Sequence, residues 1–153
     1  MEDVKNQIQD IILKQKKFFA TGETKKVIFR IENLKKLKKE ILKNELDIKE
    51  ALKKDLNKSY SESYMTEIGM TISELNYVIK HTKKWSKKKV TPTPIVHFPS
   101  ISYTLPEPYG VALILAPWNY PFMLTIDPLI DAIAATHGVY SRQNARRLAA
   151  ETA

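Results

Sequence analysis

The residues of this chain that could do chemistry are concentrated in one short loop, Pro117-Trp118-Asn119-Tyr120-Pro121. The loop follows a continuous apolar run at residues 111–115, and apolar residues return at helical spacing from Phe122 onward. A strand, a sharp loop and a helix in this order place the loop at the carboxyl edge of a sheet, where ligands bind in open α/β folds. The side-chain amide of Asn119 is therefore a candidate ligand-binding group, although an Asn in such a turn more often bonds its own backbone.

The strand before this loop is predicted over residues 110–116. Gly110 and Pro117 bound the apolar run, and its length favours a strand buried on both faces over a helix. Such a strand usually belongs to a parallel sheet covered by helices, so the predicted fold class is α/β. A second strand, half exposed, is predicted over residues 100–105, where apolar side chains occupy every second position.

The remaining sequence contains few other groups of residues that could form a catalytic, metal-binding or phosphate-binding site. The three histidines have no paired spacing with one another or with carboxylates, so no metal site is predicted. The four glycines lie too far apart for a phosphate-cradling loop. The chain has no cysteine, which excludes disulfides and a thiol nucleophile within these 153 residues. Asp127 and Asp131 lie four positions apart on one predicted helix face and resemble a carboxylate pair.

The amino-acid composition and net charge indicate which kinds of binding partner to expect. The net charge of +8 is compatible with nucleic-acid binding, but the lysines alternate with acids along helices, which is typical of a solvated helix face. No specific nucleic-acid partner is therefore predicted. The basic run at 83–89 could bind a polyanion, although cations also stabilise a helix carboxyl end, which is the favoured interpretation. We expect no secretory signal and no membrane span, and hence a cytoplasmic location.

Four helices are predicted before residue 90 from the spacing of apolar side chains. The first covers residues 4–19, and Thr24 is predicted to cap the second, whose apolar stripe extends over 27–42. Asn44 is predicted to start the third, which ends near Leu56, and the fourth covers 61–85. Gly69 lies inside the fourth helix, where glycine costs about 1 kcal/mol relative to alanine, so we expect another backbone to pass close to it.

Several motifs together carry a resemblance to a known family. They are Pro-Glu-Pro-Tyr-Gly-Val at 106–111, Ala-Pro-Trp-Asn-Tyr-Pro-Phe at 116–122, Pro-Leu at 128–129 and Ala-Ile-Ala-Ala at 132–135. The chain resembles the aldehyde dehydrogenase superfamily, most closely the branch that acts on fatty and aromatic aldehydes. Tyr-Met-Thr-Glu-Ile-Gly at 64–69 and Lys84-Trp85 extend the resemblance over roughly the first 135 residues. It implies the mostly helical amino-terminal part of a Rossmann-like cofactor domain.

This resemblance also implies a division of the chain. Residues 1–89 correspond to the helical part of the cofactor domain, and 90–108 to an extended connector with a strand of the kind used for oligomerisation. Residues 109–135 correspond to the first strand, loop and helix of the cofactor domain. Residues 136–153 are atypical: all 21 lysines precede this segment, whereas three of the four arginines lie within it. The tail is either non-native, which sequencing the coding DNA would test, or a short native amphipathic helix at 141–150.

The resemblance implies roles for eight residues. In the family, a cysteine thiolate adds to the aldehyde, hydride passes to the nicotinamide, and an asparagine at the position of Asn119 donates its amide to the developing oxyanion. The segment that walls the nicotinamide ribose corresponds to Leu115, Ala116, Pro117 and Trp118. Residues lining the aldehyde tunnel correspond to Tyr120, Met123 and Leu124, for which core packing is an equal alternative. The two aspartates at 127 and 131 occupy positions that are usually uncharged in the family.

The function implied is that of an amino-terminal fragment of an NAD- or NADP-dependent aldehyde dehydrogenase, homo-oligomeric when complete. Because no cysteine nucleophile is present and no glutamate base is recognised, we expect this chain alone neither to oxidise aldehydes nor to bind the cofactor usefully. The alternative is a non-catalytic helical interaction or assembly module that pairs through strands at 100–115. Strands without their sheet partners leave unpaired backbone edges, which promote association.

Overall fold

A computed structural model of the chain describes residues 2–108, 110–135 and 138–141. Its longer helices are α1 (Glu2–Ala20), α2 (Val27–Lys43), α3 (Glu45–Leu56), α5 (Gly69–Trp85) and α6 (Met123–Ala134). The short helix α4 (Tyr60–Ser63) continues through a π-helical turn, Tyr64–Ile68, directly into α5. Strands are β1 (Lys89–Thr91), β2 (Ser102–Thr104), β3 (Val111–Ile114) and β4 (Gly138–Ser141). The mostly helical α/β architecture that the sequence predicts is confirmed.

The helix starts differ from the predictions in their capping residues. Thr24 does not cap α2; it is buried in a 3₁₀ turn, and Lys26 takes the N-cap position. Asn44 does precede α3, but its amide donates to the Glu40 carbonyl of α2 at 2.7 Å. The fourth predicted helix begins at Tyr60, because the Ser59 hydroxyl accepts the Glu62 N–H at 3.1 Å.

Three helices and the π turn build the core. Helices α2, α5 and α6 pack on one another with apolar stripes that repeat every three or four residues. The buried cluster consists of Leu34, Ile41, Ile68, Leu75, Val78, Ile130 and Ala134. Burial of these stripes stabilises the helices far more than their own propensities do, because short helices are marginal in water. In the part of the chain that the structure describes, no helix is long and apolar enough to cross a membrane.

The predicted strand at 100–105 is confirmed as the shorter β2, and its partner was missed. Strand β1 pairs with β2 in antiparallel register, with Val90 opposite Tyr103. The sequence predicted an extended connector from residue 90 onward and no strand there, so the pairing of this segment with β2 was not foreseen. A three-residue strand of Lys, Val and Thr carries too little periodicity to be distinguished from an extended linker.

The predicted strand at 110–116 forms as β3, which pairs in parallel with β4. Helix α6 connects the two strands, as a parallel pair requires. The expectation of burial on both faces was wrong: Ile114 is buried, but Leu113 is 60% exposed. Helices α1 and α6 contact β3, and no other layer covers the Leu113 face among the described residues. The predicted tail helix at 141–150 lies outside those residues except for Ser141, which ends β4, and the origin of the tail stays a prediction.

Candidate functional site

The candidate loop lies where the sequence places it, between the carboxyl end of β3 and the first residue of α6. Asn119 is exposed, and the neighbouring Trp118 is 76% exposed. A large aromatic side chain in this position adds apolar area to the open edge of the sheet, the place where α/β proteins bind ligands. Asn119 is therefore available to a ligand.

A buried ion pair lies beneath the loop. The Lys58 ammonium and the Glu67 carboxylate are 2.5 Å apart (Nζ to Oε1), with the Lys58 side chain 10% exposed and the Glu67 side chain fully buried. Buried charges are costly unless each is paired and hydrogen bonded. The further contacts of Lys58 and Glu67 explain how the protein stabilises these two buried charges.

Lys58 holds the loop from the inside. Its Nζ donates to the backbone carbonyl of Asn119 at 3.2 Å and lies 3.9 Å from the centroid of the Tyr120 ring. With Glu67, these contacts supply three partners for the three N–H groups of the ammonium. The backbone of Asn119 is thus anchored to the interior, while the residue remains exposed.

Glu67 holds the start of α6. Its second oxygen, Oε2, accepts the backbone N–H of Phe122 at 2.9 Å and that of Met123 at 3.3 Å. The first N–H groups of a helix have no partner within the helix, and a negative charge there interacts favourably with the helix dipole. Phe122 occupies the N-cap position and its side chain cannot accept these bonds. Glu67 supplies the missing acceptor from a distant part of the chain.

Glu67 belongs to the π turn that joins α4 to α5. Within this turn the Gly69 N–H donates to the Tyr64 carbonyl five residues earlier, which is the hydrogen bond that defines a π turn. A Cβ at Gly69 would lie 2.9 Å from that same carbonyl oxygen. The close backbone predicted at Gly69 is therefore the preceding turn of its own helix. Glycine at this position permits the π turn to which Glu67 belongs.

The other predicted site residues lie on either side of Asn119. Leu115, Pro117 and Trp118 are exposed, and Ala116 is half buried, so together they form an open, apolar wall after β3. Three of the four side chains of this wall face solvent.

The three predicted aldehyde contacts lie at the start of α6. Tyr120 is 37% exposed, and Met123 and Leu124 are half buried. The Leu124 N–H donates to the Tyr120 carbonyl at 3.0 Å, so these two residues share a helical turn as predicted. The roles of all eight residues stay predictions.

The carboxylates of α6 are part of a helix interface rather than of the loop. The Thr71 hydroxyl of α5 donates to Asp127 Oδ1 at 2.8 Å. Burial raises the pKa of Asp127, the Thr71 hydrogen bond opposes this, and the charge of Asp131 adds to it. The pKa of Glu74 on α5 is also raised, by burial and then by the two aspartates. No group of three or more His, Cys, Asp or Glu residues within the described ranges could hold a metal ion.

Arg30 fixes the other end of α6. It is buried in α2, and its Nη1 donates to the carbonyl of Ala134, the last residue of α6, at 2.5 Å. Burial lowers the pKa of this guanidinium. A cation at the carboxyl end of a helix interacts favourably with the helix dipole. A cavity of about 630 Å³ lies beside Arg30, Trp85 and Leu105, away from the loop.

Sequence analysis missed Lys58 and Glu67. A signal for Glu67 was present: the buried stripe contains Glu67, Thr71, Leu75 and Val78, so a carboxylate falls on an otherwise inward-facing row. A charge in such a row requires a buried partner. Lys58 gave no comparable signal, because it precedes a helix in a lysine-rich segment and its contacts at Asn119 are 61 positions away.

Comparison with known proteins identifies the family of this chain. The family model described as "Aldehyde dehydrogenase family" matches residues 2–140. A 4,4'-diaponeurosporen-aldehyde dehydrogenase of Staphylococcus aureus is 49% identical over 130 residues, which cover 85% of this chain and 28% of that protein. A dog protein, "Aldehyde dehydrogenase, dimeric NADP-preferring", is 35% identical over 135 residues, covering 88% of this chain and 30% of that protein.

A solved structure agrees with the sequence matches. The substrate-bound state of Staphylococcus aureus AldH superposes with a TM-score of 0.86 at 44% identity, covering 92% of this chain and 32% of that one. The chain thus spans about a quarter to a third of the length of these relatives and corresponds to their amino-terminal part. With its motifs, its fold and these matches in agreement, the chain belongs to the aldehyde dehydrogenase family.

Proposed function

We propose that this chain supplies the carbonyl-binding loop and one wall of the cofactor site of an enzyme that oxidises aldehydes to carboxylic acids. In this proposal the Asn119 amide donates a hydrogen bond to the aldehyde oxygen as negative charge develops on it. A neutral, fixed donor stabilises charge that is larger in the transition state than in the substrate, and so it accelerates the reaction itself. The observation that carries the proposal is an exposed Asn119 whose backbone is anchored to a buried ammonium.

The other site residues bind and orient the reactants. The cofactor is NAD or NADP, which when bound accepts the hydride of the aldehyde carbon. Leu115, Ala116, Pro117 and Trp118 would pack beside its nicotinamide ribose through apolar atoms and exclude water there. The substrate chain would contact Tyr120, Met123 and Leu124 next to the carbonyl. The cysteine nucleophile would come from the remainder of the complete enzyme, since these 153 residues contain no cysteine. The glutamate base would come from there as well, because no glutamate of this chain is recognised as that base.

The test uses a complete enzyme in which residues 1–135 replace the matching segment of Staphylococcus aureus AldH. We expect Asn119→Ala to lower kcat by roughly 10²–10³-fold, the usual effect of removing one oxyanion donor, with a small change in KM. Asn76→Ala is the matched control, because Asn76 is an exposed asparagine on α5 whose side chain contacts Lys38, far from the loop in sequence. An Asn119→Ala enzyme with kcat within twofold of the parent would refute the proposed role.

The isolated chain provides a second test. We expect it neither to oxidise aldehydes nor to bind NAD with useful affinity, because most of the cofactor site of a complete enzyme lies outside this segment. Isothermal titration of the purified chain with NAD measures this directly. Saturable binding in the micromolar range would contradict the expectation.

Self-association is a second candidate function, favoured by the segment that joins β1 to β2. Its apolar side chains are almost fully exposed, with Ile95 at 92%, Val96 at 85% and Phe98 at 85%. Exposed apolar patches of this kind mark association surfaces. We propose that the complete protein is a homo-oligomer that buries this segment between subunits. Light scattering tests both proposals. For the chain alone, a discrete dimer supports an assembly role, whereas polydisperse aggregation indicates unpaired strands and contradicts that role. A complete enzyme that is monomeric in the same measurement would contradict the homo-oligomer.

A further inference from the structure

We propose that Lys58 and Glu67 are positioning residues that fix the Asn119 amide for catalysis. The inference rests on the proposed function of Asn119 as the oxyanion donor. Neither side chain is assigned a contact with aldehyde or cofactor, and both would act through the loop.

The contacts of the pair lie on the loop and at the start of α6. Lys58 Nζ contacts the Asn119 carbonyl and the Tyr120 ring, and Glu67 Oε2 accepts from Phe122 and Met123. These four contacts lie at Asn119 itself and within the four residues that follow it. The pair thus joins the helix of Glu67 to the loop and to the start of α6, directly beside the Asn119 side chain.

The pair also has the stiffness that positioning requires. Glu67 is fully buried and belongs to the π turn, whose geometry depends on Gly69. Its carboxylate has bonds at both oxygens, so it cannot rotate without breaking at least one of them. Side chains locked by packing and by their own hydrogen bonds hold a catalytic group more accurately than a free loop does. The packed core thereby fixes the position of the Asn119 backbone.

Positional accuracy matters because the oxyanion exists only briefly and in one place. A displacement of about 1 Å in an active site can lower the rate roughly a hundredfold. Loss of either charge would leave the other buried without its partner, which favours movement of the loop toward solvent. Substrate binding depends much less on this one hydrogen bond, so kcat should fall while KM changes little.

The test again uses the complete enzyme that carries residues 1–135. We expect Glu67→Gln and Lys58→Met each to lower kcat about tenfold to a hundredfold, with KM changed less than about threefold. Thr71→Val is the matched control. It removes a buried hydrogen bond between α5 and α6 that does not involve the loop, and we expect it to reduce stability while leaving kcat within twofold. Equal losses of kcat in all three variants would overturn the inference.

A double variant shows whether the pair acts through Asn119. If it does, Glu67→Gln should change kcat less than about twofold when Asn119 is already alanine, because residues that act as a unit are not additive. A full additional loss in the double variant would contradict the inference. Failure of the proposed function is distinguishable, since Asn119→Ala alone would then have no effect on kcat. If that variant loses activity and Glu67→Gln does not, the positioning role alone is refuted.

The 153-residue chain allows a measurement without catalysis. Amide hydrogen exchange at Phe122 and Met123 reports the bonds to Glu67, and exchange at Ile130 reports the buried middle of α6. We expect Glu67→Gln to accelerate exchange at the first two amides at least about tenfold and to leave the third nearly unchanged. Uniform acceleration at all three would indicate general destabilisation and contradict the inference, as would unchanged exchange at Phe122.

Discussion

Replacing Gly69 by alanine would test the link between the π turn and the loop. In an ordinary helix this substitution stabilises, because alanine is favoured over glycine by about 1 kcal/mol. At Gly69 the new methyl group would meet the Tyr64 carbonyl oxygen at 2.9 Å and the Tyr64 ring at 3.3 Å. The ring belongs to a partly exposed side chain and can move. The carbonyl cannot move as easily, because it accepts the Gly69 N–H.

The expected change in the free energy of unfolding follows from two opposing effects, the steric clash and the gain in helix propensity. Forcing a methyl group against fixed atoms typically costs about 1–3 kcal/mol, and here the upper part of that range applies because the obstacle is backbone. After subtracting the gain of about 1 kcal/mol in helix propensity, the free energy of unfolding should fall by about 1–2 kcal/mol. The alternative is that the π turn becomes α-helical. That change would rotate the segment before the turn, which carries Lys58, by about 100° relative to the helix after it and disturb the buried ion pair with Glu67, at a cost of about 3–5 kcal/mol.

Urea unfolding followed by circular dichroism measures the change in the free energy of unfolding. The midpoints of the variant and the parent are comparable when both have the same slope m of free energy against urea concentration. Ser73→Ala is the matched control, because Ser73 is exposed on the same helix. There we expect only the propensity gain, up to about 0.5 kcal/mol. If Gly69→Ala raises the midpoint as Ser73→Ala does, the steric account of the π turn is wrong. Loss of stability in the control as well would indicate that both changes act through some other property of α5.

Two further substitutions test the core and the helix interface. Leu34→Ala should lower the free energy of unfolding by about 2.5–5 kcal/mol, because Leu34 is fully buried between α2 and its neighbours. The control in the same urea experiment is Leu13→Ala. Leu13 is exposed, so we expect this substitution to change the free energy of unfolding by less than about 0.5 kcal/mol. Asp127→Asn should raise stability slightly at pH 7, since burial raises the pKa of this carboxyl and disfavours its charged form in the folded state. Solvent screening of this half-buried group limits the gain to roughly 0.5 kcal/mol. The gain should disappear as the pH falls from the raised pKa through the ordinary value near 3.9, and a gain independent of pH would exclude this explanation.

Local patterns predicted the elements that depend on neighbouring residues. Apolar spacing located α1, α2, α3 and the helix ending at Trp85, and the apolar run with its glycine and proline borders located β3. These features depend on periodicities of 3.6 and 2 residues and on turn chemistry within a few positions. The candidate loop was found in the same way, because both its prolines and the strand before it are visible in the sequence.

The incorrect predictions concern features determined by distant contacts. Thr24 has the right residue type for a cap, but burial against other elements places it inside a 3₁₀ turn. The run containing Leu113 is apolar enough to be covered on both faces, yet one face is open among the described residues. Whether a strand face is covered depends on which other elements reach it, and periodicity along the strand carries no information about that.

Helix α6 shows why the loop needs support from far along the chain. The helix contains Pro128 in its interior, which removes one backbone hydrogen bond, and its own N-cap residue is Phe122. As an isolated segment it would be unstable by several kcal/mol, since a proline inside a helix costs about 3 kcal/mol. In the folded chain a carboxylate, Glu67, caps its amino end and a guanidinium, Arg30, binds its carboxyl end.

These charges have the signs that the helix dipole favours, so α6 is oriented at both ends by side chains from other helices. Its starting point, and with it the loop that carries Asn119, is therefore determined by the packed core and not by local propensity. The same arrangement gives glycine at 69 a structural role despite its cost in a helix. A regular helix there would be more stable by itself, but it would rotate the segment that carries Lys58 relative to Glu67 and so disturb the ion pair that holds the loop.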